Sequence, residues 1–235
     1  MMTAIIRKLP PSIEMAVVLL LSLGLPIYAS MQIFFQFSST LSSRSWLYRY
    51  TDMGIYLLTI YELIILSVLV LLLFIRNWRL KDFNLHFSLR LVGVAFLLII
   101  ANNILSNLSY KAFSVLHLVT AELEKAVNVK WSITIYGLIP LLVINSLFEE
   151  SIVVGYLFKR LEKISGVVVI SFSILIRQLY HLYQGPTTFF GIIPMGLVFG
   201  LYYLKYRRLT PLIIAHGLSN LFTYLGYIYD LNPGS

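Results

Sequence analysis

Long apolar stretches alternate with short polar connections along the chain. Each stretch is long enough for a helix that crosses, or nearly crosses, a hydrocarbon core of about 30 Å. None shows the strict alternation of a barrel strand, and only helices or closed barrels satisfy their backbone groups in lipid. The pattern therefore predicts seven transmembrane helices, at about Ile13–Phe37, Gly54–Ile75, Leu89–Leu108, Ile133–Phe158, Val167–Tyr183, Phe189–Leu204 and Pro211–Tyr229.

The composition agrees with a membrane protein. Of the 235 residues, 59% are hydrophobic and 12% are charged, whereas soluble domains are about 25% charged. The chain has no cysteine, which excludes disulfides, thiolate zinc sites and cysteine nucleophiles. We expect an all-α fold: a polytopic helical membrane bundle of about seven transmembrane helices, with residues 1–235 forming a single integral membrane domain.

The net charge of +8 reflects membrane topology and not nucleic-acid binding, because the basic residues lie in short connections beside apolar stretches. The N-terminus and alternate connections carry the excess of Lys and Arg, so we expect a cytoplasmic N-terminus and an outside C-terminus. The residues behind this assignment are Arg7, Lys8, Arg76, Arg79, Lys81, Lys159, Arg160, Lys163, Lys205, Arg207 and Arg208.

A compact set of polar residues interrupts the last apolar stretches. Ionisable groups inside the membrane are costly and are functional hypotheses by default. Two pairs share a helical face because they are spaced four residues apart, and two carboxylates are adjacent. The set is Glu149, Glu150, Arg177, His181, His216 and Asn220.

Other polar residues have simpler interpretations. Glu62 in the second stretch is interpreted as a structural group or a minor pathway residue. Asn102 and Asn103 are interpreted as packing groups, and His86 and His117 as solvated surface residues.

Three kinds of chemistry suit two carboxylates, two imidazoles and an amide. The first is hydrolysis, in which a carboxylate activates water and the other groups stabilise the oxyanion. The second is a metal site, with zinc held by Glu149, Glu150, His181 and His216. The third is a proton-coupled transporter, although no repeated half is visible in the sequence.

Three segments, FEESIVVGYL, RQLYHLYQG and IIAHGLSNL, occur in this order in apolar stretches. Together they resemble the CPBP family of intramembrane proteases, which includes the CAAX prenyl-protein endopeptidases and bacterial bacteriocin-processing or self-immunity proteins. The resemblance places a catalytic core at about residues 133–229. It implies an endopeptidase of the bacterial cell membrane whose substrate is a membrane-associated peptide or protein, such as a leader peptide, a pheromone or bacteriocin precursor, or a CAAX-like protein.

The resemblance also implies a role for each site residue. Glu149 would activate the water, and Glu150 would be its partner in the paired motif. His181 would help to hold the water, while His216 and Asn220 would line the oxyanion site. The implied mechanism depends on glutamate and needs no metal or other cofactor.

The chain departs from the family pattern EExxxR, because Val154 stands where the arginine is expected. Arg177, one turn before His181, could supply the missing guanidinium. Alternatively, the protein has lost activity and is a non-catalytic peptide-binding or self-immunity protein. The sequence also places His181 near the outer end of its helix, so the predicted depths of His181 and Glu149 differ.

Overall fold

Seven long helices form a bundle in the computed structural model, which describes residues 8–40, 46–116 and 127–229. The all-α, polytopic bundle predicted from the sequence is confirmed. The helices are α1 (Pro11–Thr40), α2 (Asp52–Ile75), α3 (Leu89–Val115), α4 (Ile135–Arg160), α5 (Gly166–His181), α6 (Phe189–Tyr206) and α7 (Thr210–Ile228).

Six of these helices, α1 to α6, are long and apolar enough to cross a membrane. Helix α7 does not meet the same criteria of length and hydropathy within the described residues. The chain is therefore an integral membrane protein.

Two short strands were not predicted. Strand β1 (Trp46–Thr51) precedes α2, and it pairs in parallel with β2 (Val127–Ser132), which precedes α4. Thr51 caps α2 by accepting a hydrogen bond from the backbone N–H of Gly54 at 3.2 Å. The strand pair thus sets the starts of α2 and α4 side by side.

The connection between α3 and α4 is shorter than the predicted helix bounds imply. Helix α3 continues to Val115 instead of ending at Leu108, and β2 occupies the end of the connection. His117, interpreted from the sequence as a solvated surface residue, lies outside the described residues.

Helix α4 is the central helix of the bundle. In its most apolar stretch 61% of the residues are buried, against 17–39% in the other candidate spans. It packs against α2 and α7, while α3 packs on α6 and α7 and α1 packs on α5. A group carried by α4 is therefore surrounded by side chains of other helices instead of lipid.

Small residues let α5 and α6 approach closely. A Cβ at Gly196 would lie 2.5 Å from the Ile174 side chain, and one at Gly200 would lie 2.7 Å from the Ile170 side chain. Small residues four apart are typical of tight helix contacts in membranes. The contact fixes α5, which carries Arg177 and His181, against the bundle.

A buried charge cluster joins three helices at one end of the bundle. Glu14 of α1 is 1% exposed and its Oε2 lies 2.5 Å from Arg76 Nε and 3.4 Å from Arg160 Nη2. Its Oε1 accepts a hydrogen bond from the Tyr156 hydroxyl at 3.1 Å. Because Arg76 follows α2 and Arg160 ends α4, this carboxylate links α1 to both.

We expect Glu14→Leu to lower the free energy of unfolding by about 2 kcal/mol or more, because two partly buried guanidinium groups lose their carboxylate. Thermal unfolding of the purified protein in detergent measures this loss.

The matched control is Lys159→Ala. Lys159 is 42% exposed and its contacts with Asp82 and Glu162 are 3.9 Å long, so its removal should change stability by less than about 1 kcal/mol. Equal effects of the two substitutions would show that the Glu14 cluster has no special role.

Candidate functional site

The two adjacent glutamates lie in an irregular part of α4. A regular turn, Ser146–Glu150, is flanked by two wide π turns, Leu141–Asn145 and Ser151–Tyr156. The first begins directly after Pro140, which lacks a backbone N–H and cannot continue the regular hydrogen-bond ladder. Such π turns occur frequently at functional sites.

Glu150 is held by charged and polar groups from two other helices. Its side chain is fully buried, and its Oε2 accepts a hydrogen bond from Arg177 Nη2 at 2.5 Å. Its Oε1 lies 2.8 Å from His216 Nδ1. Arg177 is also fully buried, whereas Val154, at the position of the family arginine, is an apolar residue that is 1% exposed. Glu150 thus pairs with Arg177 of α5.

Glu149 makes a different set of contacts. Its Oε2 accepts a hydrogen bond from the Tyr180 hydroxyl at 2.7 Å, and its Oε1 accepts one from Asn145 Nδ2 at 3.0 Å. His181 Nε2 lies 3.7 Å and His216 Nε2 lies 4.0 Å from the same Oε2. These two distances are too long for direct hydrogen bonds.

A cavity of about 700 Å³ lies against this face of α4. Glu149 lines it, whereas Glu150 and Arg177 do not. Four of the residues singled out in the sequence therefore share one cavity: Glu149, His181, His216 and Asn220.

Tyrosine and glutamine side chains close one side of the cavity. The hydroxyl groups of Tyr50 and Tyr183 lie 2.5 Å apart, and Gln184 Nε2 donates to both, at 3.0 and 2.9 Å. The backbone N–H of Tyr183 donates to Ser30 Oγ of α1 at 2.9 Å. These bonds tie β1 and α1 to the residues that follow His181.

The difference in depth between His181 and Glu149 that the sequence implied does not keep the two side chains apart. Helix α5 ends at His181 and a 3₁₀ turn, Leu182–Gln184, follows, yet His181 Nε2 is 3.7 Å from Glu149 Oε2. The number of residues between a position and the nearest loop gives the depth of that position in the membrane only if the helix runs straight across it. The count from the sequence was therefore not a measure of distance.

The contact with Glu150 restricts the chemistry of His216. An ionised Glu150 can only accept hydrogen bonds, so Nδ1 of His216 carries the hydrogen in that contact. Nε2, which points toward Glu149, can then donate a hydrogen bond only if the ring is protonated. Asn220 lies one turn further along α7, lines the cavity and can donate from its amide.

Sequence reasoning missed or undervalued three residues near Glu149. Asn145 precedes Glu149 by four residues, Tyr180 directly precedes His181, and Glu62 accepts a hydrogen bond from Asn145 Nδ2 at 2.7 Å. Asn145 and Glu62 could have been noticed in the sequence, because each is a polar residue inside an otherwise apolar helix.

The other polar residues named from the sequence differ in position. Asn102 also lines the cavity, while Asn103 and His86 are exposed.

The four-residue zinc set considered from the sequence does not fit the contacts. Both oxygens of Glu150 are engaged by Arg177 and His216. Within the described ranges, no three His, Asp or Glu side chains are arranged to hold a metal ion.

Comparison with known proteins identifies one family. The family model described as "Type II CAAX prenyl endopeptidase Rce1-like" matches residues 130–222. No curated protein matches the chain. No solved structure matches it either. The matched segment contains both glutamates, Arg177, both cavity histidines and Asn220. The match over residues 130–222 confirms the resemblance of this part of the chain to the CPBP intramembrane proteases.

Proposed function

We propose that this protein is a glutamate-dependent intramembrane endopeptidase that cleaves a peptide bond of a membrane-associated substrate without a metal ion. The main observation behind the proposal is that the two adjacent carboxylates have different surroundings. Glu150 is fully buried and occupied by Arg177 and His216, whereas Glu149 lines the cavity with His181.

Glu149 is the base in this mechanism. Its Oε2 takes a proton from a water molecule, and the resulting hydroxide oxygen forms a bond with the carbonyl carbon of the scissile peptide. His181, whose Nε2 lies 3.7 Å from that oxygen, helps to orient the water. The proton then passes from Glu149 to the leaving nitrogen as the C–N bond breaks, which yields a carboxyl and an amino terminus.

His216 and Asn220 stabilise the oxyanion that forms in the first step. Both line the cavity one helical turn apart on α7, and hydrogen-bond donors are worth most where water is excluded. His216 donates from Nε2 as an imidazolium, which Glu150 stabilises through Nδ1. With Arg177 and His216 protonated, two positive charges balance the two carboxylates.

The cavity and its surroundings support an apolar substrate. Apolar side chains of α1 and α2 line the cavity together with the polar groups, so a hydrophobic peptide or a lipid-modified C-terminal segment suits it. Leader peptides, pheromone or bacteriocin precursors and CAAX-like proteins all have this character. The proposed setting is a bacterial cell membrane with the N-terminus cytoplasmic and the C-terminus outside, as the Lys and Arg pattern indicates.

Glu149→Gln should lower kcat/KM by a factor of about 10²–10⁴, because an amide cannot accept the proton of water. The assay uses the purified protein in nanodiscs with two internally quenched peptides. One ends in a farnesylated CAAX sequence and the other contains an apolar leader-like segment.

The control for this experiment is Glu162→Gln, which changes a carboxylate that is 49% exposed and lies in a connection. Cleavage by Glu149→Gln at the wild-type rate would contradict the assignment of the base. Binding of a peptide by the wild-type protein without cleavage would instead support the non-catalytic peptide-binding alternative.

Cleavage should not depend on a metal ion. After treatment with EDTA and 1,10-phenanthroline, kcat/KM should stay within about twofold of the untreated value, since Glu149 needs no Lewis acid to accept a proton. Metal content is measured on the same samples. Loss of cleavage together with the metal, and its return on adding zinc, would reverse the assignment.

Arg177→Met should lower the free energy of unfolding by about 3–5 kcal/mol, because it leaves the Glu150 carboxylate buried without its guanidinium. Glu150→Gln on the Arg177→Met background should recover part of this loss by removing the charge. Thermal unfolding in detergent gives both values.

Arg79→Met is the matched control, because Arg79 is an exposed arginine that lies over the Phe74 ring. Its effect should stay within about 1 kcal/mol, the size of an exposed cation–π contact. If Arg177→Met were as stable as the wild type, Arg177 would not be the compensating cation for Glu150.

A further inference from the structure

A third carboxylate, Glu62 of α2, lies beside the site but outside the matched family segment. Its side chain is 2% exposed and lines the same cavity as Glu149. Across the described ranges, no Lys, Arg or His forms an ion pair with it. A buried carboxylate without a cation is costly in a membrane helix, and an apolar side chain would pack there at lower cost.

The amide of Asn145 connects Glu62 to Glu149. Asn145 Nδ2 donates to Glu62 Oε1 at 2.7 Å and to Glu149 Oε1 at 3.0 Å. A side-chain amide carries two N–H donors, so each carboxylate receives one of them. Asn145 is itself 8% exposed, and these two bonds together fix the rotation of its amide group.

This link distinguishes the two oxygens of Glu149. Asn145 holds Oε1, and Oε2 is then directed toward Tyr180, His181 and His216. Without an acceptor at position 62, the Asn145 amide is free to rotate, and Glu149 loses the constraint that selects Oε2.

We propose that Glu62 is a positioning residue for Glu149 and acts through Asn145. This inference rests on the proposed function, in which Glu149 Oε2 is the base. A base held about 1 Å from its productive position can lose about 100-fold in rate, so a contact that orients one carboxylate oxygen has a measurable effect on kcat.

The first experiment measures kcat and KM of Glu62 variants with the two quenched peptides. Glu62→Leu should lower kcat about 10- to 100-fold with KM changed less than about threefold. Glu62→Gln should recover most of the loss, because its amide oxygen can still accept from Asn145. Equal kcat for Glu62→Leu and the wild type, or equal losses in Glu62→Leu and Glu62→Gln, would overturn the proposal.

A double-mutant cycle tests the route through Asn145. Asn145→Ala alone should lower kcat by a similar factor, and Glu62→Leu/Asn145→Ala should be no worse than the more severe single variant. Losses that multiply would show that Glu62 acts independently of Asn145. If Glu62→Leu did not fold, wild-type kcat in Asn145→Ala would by itself refute the link.

The matched control on the same helix is Thr59→Val. Thr59 is partly buried and donates only to the carbonyl of Ile55 in its own helix, and it does not line the cavity. Its kcat should equal that of the wild type. A loss equal to that of Glu62→Leu would mean that any polar change in α2 disturbs the site, which would refute the proposal.

A measurement that does not depend on cleavage tests this inference separately from the proposed function. Dicyclohexylcarbodiimide labels carboxyl groups in apolar surroundings, and mass spectrometry of the digested protein gives the labelling rate of Glu149. The rate in Glu62→Leu should differ at least threefold from that of the wild type, and Glu62→Gln should be closer to wild type. An unchanged rate would overturn the inference, even if the wild-type protein cleaved neither peptide.

Discussion

The Glu150 carboxylate accepts hydrogen bonds from Arg177 of α5 and His216 of α7, deep inside a bundle whose outer surface faces lipid. An isolated carboxylate or guanidinium in this setting would be costly, so each group requires the others. The three helices that carry the proposed chemistry are therefore held in one arrangement by charge compensation. The other site contacts depend on it, because His216 and Arg177 both reach toward Glu149 from their bonds to Glu150.

This compensation explains why two adjacent glutamates are useful in an apolar helix. Neighbouring residues on a helix point in directions that differ by about 100°, so one carboxylate can face protein while the next faces a cavity. Glu150 faces the side chains of other helices, and Glu149 faces the cavity. A single carboxylate could not both bind the two cationic groups and remain open to the cavity.

The same requirement for a cation accounts for Val154 at the position where the pattern EExxxR has an arginine. Val154 is buried in the wide turn that follows Glu150, where α4 packs against its neighbours. A guanidinium from α5 reaches the same carboxylate instead. The charge that Glu150 requires is thus present, although it comes from a different helix from the one that the motif predicts.

The sequence by itself determined the membrane class, the seven helices and the six polar residues first singled out as a candidate site, because these depend on local quantities. The mean hydropathy of a window of residues identifies a segment that inserts in lipid. A polar residue inside such a segment can be recognised in the sequence without knowledge of the fold. The segments around Glu149, His181 and His216 were also specific enough to indicate the family.

Only the tertiary structure decided which side chains meet. The pairing of β1 with β2, the link from Glu62 through Asn145 and the 3.7 Å approach of His181 to Glu149 all join residues far apart in the chain or on different helices. The wide turns of α4 and the packing of the helices against one another set these distances, and neither follows from counting residues along one helix. Contacts between helices depend on how all seven pack together, so they are properties of the bundle and not of any single segment.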